Sequence, residues 1–452
     1  MTLTEQLIDG IRSLRYDDLS PETVQLSRDI VLDGVGVTLA GATEPLGLGG
    51  LVIDYVRELA GAPQASVFAG GFRTSMTDAS FANGTMAHAL DFDNTWYPMN
   101  HPMSPTLPAI LALAEHYGHS GKECVLALVA AFEVQSRLRM ASTGMHTGRG
   151  FHKPGMTGIM GAVAAGIVLL DLDEHQSAMA FGIAGSRAGS LSLNTGTMTK
   201  SSHSGHAARM GLESALLASR GFTANADVFG PQGYFDTFLR DEQEPALLVE
   251  GFADPLRMVS AGVGFKKHPS NYFTHRPIDA ALRLREREGF RLEDIDHVVV
   301  HFPELHYVDR PTPESGLDGK FSVQYATTLA LLDGIVRIDS FTNERRFAAD
   351  VEELLPKVRI EFDPEVSISL IDMHVTVAAH MKDGSVISER IDELSGMPGV
   401  PLTREQRWTK FRLCAGRVHS EERLSALGEL CERVDELADV RGITDLARER
   451  DH

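Results

Sequence analysis

The chain has 452 residues, 43 % of them hydrophobic, with a formal net charge of −20; this length exceeds a usual single domain and suggests two or three. The acidic surplus argues against nucleic acid as a partner, because phosphate binding needs a basic surface. Mean hydropathy is −0.09 and no apolar run approaches the ~20 residues needed to span a bilayer, which argues against a membrane protein.

The first ten residues carry acids and lack the basic start of a presequence, so the cytoplasm is the expected location. Leu3 to Leu14 has the pattern of an amphipathic helix. Ser20-Pro21-Glu22 starts a second helix, which runs to about Leu39. Gly41 and Pro45 break the chain before an apolar helix around Leu51 to Leu59, and Ala65 to Phe68 reads as a short strand.

The stretch from Asn83 to Pro105 crowds together more titratable and backbone-constraining residues than any other part of the chain. It reads as a helix running into a loop. Thr77 and Asp78 are N-cap candidates, Phe81, Met86 and Leu90 share a buried face, and His88 and Asp91 fall near the C-terminal end. Pro98, Pro102 and Pro105 exclude a continuing helix, which places Asp91, Asp93, Thr95 and His101 on a shaped, irregular segment. Two readings stand side by side: Asp93 and Asn94 make turn hydrogen bonds while His88 is a satisfied core histidine, or the loop carries chemistry. His88, Asp91, Asp93 and His101 are also potential metal ligands. No recognised ligand spacing such as His-Glu-x-x-His is present, so neither a metal nor a cofactor is expected.

Pro105 to Tyr117 and Glu123 to Met140 read as buried helices, and Gly158 to Leu170 is too apolar for a surface helix and should be central. Gln176 to Ala184 and the Ala-rich stretch His206 to Ser219, preceded by a turn at Lys200, complete a helical bundle. Beyond Gly264 the pattern changes. Residues 297–302, 358–362, 373–381 and 385–391 are strand-like, with a hairpin turn at Lys382-Asp-Gly384. Helices over 277–287, 323–332 and 343–354 alternate with them, giving a smaller α+β domain. After Pro401 the chain is helical again, over Arg404 to Leu413 and Glu421 to Ala447.

Three further constellations can carry chemistry. Gly150-Phe151-His152 precedes a glycine-broken helix start, where His152 is either a structural loop histidine or a site residue. Lys200 and His203 lie three apart on a turn entering a helix, so both can face one side of an N-terminus that favours anions; the alternative is a solvated lysine. Phe265-Lys266-Lys267-His268-Pro269 sits where the helical region gives way to the α+β domain, and junctions are favoured ligand sites.

The motifs Asn83-Gly84, His88-Ala-Leu-Asp-Phe-Asp93, Thr95-Trp96 and His101-Pro102 resemble the signature of the MmgE/PrpD family, which contains 2-methylcitrate dehydratases, cis-aconitate decarboxylases and an iminodisuccinate epimerase. The resemblance continues through Asp33 to Gly41, Gly150-Phe-His152 with Gly158, Lys200-x-x-His203-x-Gly-x-Ala-Ala208, Gly230-Pro-Gln-Gly233, and Lys266-x-x-Pro269 leading to His275. It implies a mainly α fold, in which a discontinuous helical domain (1–262 and 402–452) carries an inserted α+β domain (263–401), and a homodimer. It also implies Asp91 and His101 as proton-handling residues, with His152 and Tyr325 orienting or donating. Substrate binding would fall to Thr95, Lys200, His203, Lys266 and Asn271. As a lone aromatic, Tyr325 would otherwise count as core.

Two departures mark this chain. Asp91-Phe-Asp-Asn94 and His101-Pro-Met-Ser104 stand where the dehydratases carry Asp-Phe-Asn-Asp and His-Pro-Ser-Asp-Asn, and Asn271 stands where the decarboxylases carry a histidine. The expected function is a cofactor-independent lyase acting on a small di- or tricarboxylate. The alternatives are an epimerase of an imino- or amino-dicarboxylate and a catalytically silent scaffold. Cys124, Cys414 and Cys431 are too few and too scattered to ligate an iron–sulfur cluster, so elimination would fall to side chains. A polycarboxylate approaching so acidic a chain also needs cations gathered locally, so Lys200, Lys266 and the histidines should converge on one cleft.

Overall fold

The computed structural model describes residues 1–96, 100–142, 150–239 and 243–451. The helical part is built on four long helices, Pro21–Ala42, Gly121–Ala141, Lys153–Leu169 and Met198–Ala218. Lys153–Leu169 contains the apolar stretch read as central, and it packs between Gly121–Ala141 and Met198–Ala218 with nearly every residue buried. Its glycines and alanines leave little side chain to hold the helices apart.

The signature helix is Met76–Ala89, one of the most intimate partners of Met198–Ala218. It is capped by Ser75, not by Thr77 or Asp78: the Ser75 hydroxyl accepts from the Asp78 N–H at 3.1 Å. Its crossing with Met198–Ala218 runs through Gly84 and Gly205. A Cβ on Gly205 would stand 2.1 Å from the Thr85 hydroxyl, and one on Gly84 would stand 3.0 Å from the Gly205 Cα, so only glycines allow this approach. The helix carrying Lys200 and His203 also begins earlier than the sequence pattern indicates. Ser201, Ser202, Ser204 and Gly205 are poor helix formers, but burial against the signature helix overrides their preference, and Lys200 and His203 lie inside the helix rather than on a turn before it.

The α+β part has its own core, from Tyr272 to Met397. Its sheet runs in the order Val358–Phe362, Ile295–Phe302, Val375–Met381, Val386–Ile391, with the first pair parallel and the others antiparallel. The turn joining the last two strands uses Gly384 at φ +87°. Helices His275–Arg285 and Val323–Asp333 pack on the sheet and on each other.

The C-terminal helices Arg404–Ala415 and Glu421–Glu432 pack on Pro21–Ala42, and Arg441–Arg448 packs on the strand Ala65–Val67 and on the helix Leu107–Tyr117. Trp408, Phe411 and Leu427 thereby join the apolar cluster that holds Val35, Phe92 and Trp96. The stretch from Glu421 to Ala447 is two helices, not one. A turn over Val434–Glu436 interrupts it, where Asp435 receives Arg28 at 2.6 Å and the Tyr16 hydroxyl at 2.9 Å. Among the described residues, no helix is long and apolar enough to cross a membrane.

Candidate active site

The signature helix ends at Ala89, and two residues later Asp91 adopts φ +50°, a left-handed conformation uncommon outside glycine. Cations crowd this end, as expected where helix carbonyls are left without partners. Lys266 Nζ donates to the Asp91 carbonyl at 2.6 Å and to its Oδ2 at 3.0 Å, while Lys200 Nζ donates to Oδ1. Lys320 Nζ lies 3.5 Å from the Ala89 carbonyl. All of these side chains are buried. Burial alone would raise the Asp91 carboxyl, but Lys200 and Lys266 outweigh it and hold the group well below the usual carboxylate range. Asp91 is therefore an ionised carboxylate clasped between two lysines.

Beside it stands a second, separate arrangement. His88 Nδ1 donates to both oxygens of Asp93, at 2.9 and 3.0 Å, and the Ser104 hydroxyl adds 2.7 Å to Oδ2. His101 points Nδ1 at the Asn94 carbonyl, 3.1 Å away, with Asp93 Oδ2 at 3.4 Å, and its Nε2 faces Asp91 Oδ1 at 4.0 Å. Two acceptors around Nδ1 place the proton there, which leaves the Nε2 lone pair toward the lysine-clasped carboxylate. Burial pushes His101 down to about 3, so its imidazole is neutral in the unliganded protein. The His88 ring lies 4.8 Å from that of His101 and 5.5 Å from that of His152, and His152 Nδ1 meets His203 Nδ1 at 3.0 Å. Among the described residues, the Nε2 of His88 and the carboxamide of Asn94 are buried without a hydrogen-bond partner, polar capacity that a ligand can use.

Asp91, His101, His152, Lys200, His203 and Lys266 thus come together around one helix end. Thr95 lies at the same place but as a strut: its hydroxyl donates to the Asn100 carbonyl at 2.6 Å, and its backbone pairs with Gly264, two residues before Lys266. Tyr325 does not join them. Its ring is fully buried in the α+β core and its hydroxyl donates to the Ser340 carbonyl at 2.8 Å, so the reading of Tyr325 as a site tyrosine gives way to the core reading. A tyrosine that does lie beside the cluster is Tyr307, close enough to feel the Asp91 charge, and its hydroxyl meets Asn271 Nδ2 at 3.0 Å. Tyr307 lies in a polar loop shaped by Pro303, Pro311 and Pro313, the same type of signal that marked residues 91–105. Lys320 and Lys410 carried no such signal. Lys410 reaches from the C-terminal helices to pair with Asp33 at 2.6 Å and to donate to the Phe92 carbonyl at 2.8 Å, bracing the loop between the two aspartates.

A metal reading of this cluster has a geometric basis that the sequence spacing did not reveal, since His88, Asp93 and His101 bring ligand atoms within 4.8 Å of one another. Their Nδ1 atoms and carboxylate oxygens are already engaged with one another, with Ser104 and with the Asn94 carbonyl, so an ion would have to displace bonds that fix the histidine tautomers. A surface cavity of about 420 Å³, lined by Thr195, Thr197, Arg310 and Asp318 among others, opens beside the first turn of the helix that carries Lys200.

An ionised carboxylate between buried lysines, flanked by neutral histidines with fixed tautomers, defines a site for moving protons next to a bound carboxylate. That is the equipment of an acid–base enzyme. The chain belongs to the MmgE/PrpD family: the model of the MmgE/PrpD N-terminal domain matches residues 5–246, and that of the MmgE/PrpD C-terminal domain matches residues 268–434. It is an enzyme of the MmgE/PrpD lyase type. The cis-aconitate decarboxylase of Mus musculus is 30 % identical to it, with 99 % of this chain and 93 % of that protein aligned. For the cis-aconitate decarboxylase of Homo sapiens the figures are 31 %, 99 % and 95 %. One from Aspergillus terreus is 26 % identical, over 98 % of this chain and 95 % of that protein.

Proposed function

We propose that the protein is a cofactor-independent decarboxylase of a small unsaturated tricarboxylate of the cis-aconitate type. The observation that carries this reading is the buried Asp91 held between Lys200 and Lys266. A substrate carboxylate entering the cleft competes with Asp91 for these ammoniums, which overcomes the repulsion from an acidic chain. In the reaction the C–C bond to the departing carboxylate breaks and its electron pair forms a new C=C bond. The original double bond shifts, and its far carbon takes a proton. Charge accumulates on the carboxylate attached to that carbon, where fixed cations stabilise it.

His101 is the proposed proton carrier. Its Nδ1 is committed to the Asn94 carbonyl, so the proton in transit sits on Nε2. Burial keeps the ring neutral while the cleft is empty, and the charge of an incoming tricarboxylate raises its pKa toward protonation. Ligand binding should therefore take up a proton at pH ~6.5. Calorimetry of propane-1,2,3-tricarboxylate binding in buffers of different ionisation enthalpy should detect the uptake, and a binding enthalpy independent of buffer would remove His101 from this role.

The direct test is turnover of cis-aconitate, citrate and 2-methylcitrate followed by product NMR, with and without a chelator. Carbon dioxide release with an unchanged rate after chelation is the expected result, and water release from a hydroxy acid alone would reassign the reaction to dehydration. Lys200→Ala and Lys266→Ala should each raise KM, roughly 10-fold or more, with a smaller loss of kcat. Unchanged KM values would sink the assignment of these lysines to carboxylate binding. We further propose that residues 1–262 with 402–452 and residues 263–401 are the two domains, a division supported by the packing of the last three helices on the N-terminal bundle. A homodimer is the form favoured by the family resemblance.

A further inference from the structure

Asn271, beside the Asp91 cluster, has every polar atom engaged. Its Oδ1 accepts from the Phe273 N–H at 3.1 Å, capping the turn Tyr272–Thr274, and its own backbone N–H donates to the Lys320 carbonyl at 2.9 Å. A backbone N–H can only donate, so the contact with Phe273 settles which end of the carboxamide is oxygen. The NH2 group is thereby turned toward Tyr307, with Nδ2 3.0 Å from the phenol oxygen. An amide NH2 has no lone pair to offer, so in this bond Tyr307 accepts, and its own proton must point elsewhere.

The position of Tyr307 gives that proton a destination. Tyr307 is 40 % exposed, but its hydroxyl rests against the buried Asn271 carboxamide, and burial first and the nearby Asp91 charge second push the phenol's pKa up. The ring packs against Phe321, with centroids 6.2 Å apart, and Lys200 Nζ lies 5.1 Å from the Phe321 centroid. Among the described residues, no acceptor takes the Tyr307 proton.

We propose that Asn271 is a positioning residue that sets the polarity of the Tyr307 hydroxyl, making it a hydrogen-bond donor to the substrate carboxylate that gains charge during decarboxylation. The inference rests on the proposed function. A donor aimed at developing charge acts on turnover more than on binding. An aspartate at 271 would keep the cap on Phe273 but present an acceptor to Tyr307, drawing the proton away from the substrate.

The test compares the wild type with Asn271→Asp, Tyr307→Phe and the double variant, by cis-aconitate turnover between pH ~5 and ~8 and by calorimetric binding of propane-1,2,3-tricarboxylate. Asn271→Asp should lower kcat about 10-fold or more at neutral pH. The loss should shrink toward acid, because a protonated carboxyl can again donate to Tyr307. Against Tyr307→Phe the same substitution should no longer change kcat, although added negative charge can still weaken binding. Wild-type kcat and pH profile in Asn271→Asp, or an equal loss with and without the Tyr307 hydroxyl, would overturn this inference while leaving the proposed function standing. A wild type that neither binds nor turns over any polycarboxylate would overturn both.

Discussion

Asp91→Asn should reduce kcat/KM by about 100-fold or more and destabilise the fold by about 3–5 kcal/mol, the range observed when one partner of a buried ion pair is removed. The substitution is nearly isosteric, and asparagine tolerates the left-handed backbone that Asp91 adopts, so shape is preserved. What changes is charge. Lys200 and Lys266 are left facing a neutral amide in a buried setting, and burial already pulls the Lys266 ammonium toward deprotonation. Lys266 also loses an acceptor while still holding the backbone carbonyl at 2.6 Å, so the end of the signature helix loosens. Steady-state kinetics with chemical denaturation of the same sample would measure both effects. Near-wild-type turnover with a weakened fold would show that Asp91 serves architecture alone.

The second large effect is expected for His101→Gln, with kcat reduced roughly 100- to 1000-fold and binding of an unreactive tricarboxylate nearly unchanged. A glutamine side chain can still donate toward the Asn94 carbonyl, which His101 reaches at 3.1 Å, but it has no ionisable group to carry a proton. The proton uptake that accompanies binding should vanish in the same variant, which ties the kinetic loss to proton transfer rather than to a displaced loop. If uptake persists, the proton resides on another histidine, and His152, whose Nδ1 stands 3.0 Å from that of His203, becomes the residue to replace next.

Both residues were legible in the linear chain because local chemistry announced them. A helix pattern ending at His88, Asp91 and Asp93, with prolines at 98, 102 and 105, can do little but form a rigid polar loop, and the MmgE/PrpD motifs placed Lys200, His203 and Lys266 beside it. The mainly α character and the smaller α+β region followed from periodicity, since apolar residues repeat mostly at helical spacing before Gly264 and the longer β-branched strands appear after it. Gly84 and Gly205 were visible as motif members, but that they are the contact points of two crossing helices was not.

What could not be read from the chain were the particular contacts that distant segments make once they meet. Tyr307 and Tyr325 present the same phenol to a one-dimensional reading, and packing alone sends the Tyr325 hydroxyl to the Ser340 carbonyl and the Tyr307 hydroxyl to Asn271 near Asp91. Lys320 and Lys410 look like solvated lysines until the fold buries them against the Ala89 and Phe92 carbonyls. The ionised state of Asp91 and the neutral state of His101 arise likewise from burial and from lysines more than a hundred residues away. Residue type and spacing specify which groups are available for chemistry. Protonation, tautomer and hydrogen-bond polarity are set by the field and the partners each group meets after folding, and those come from long-range packing.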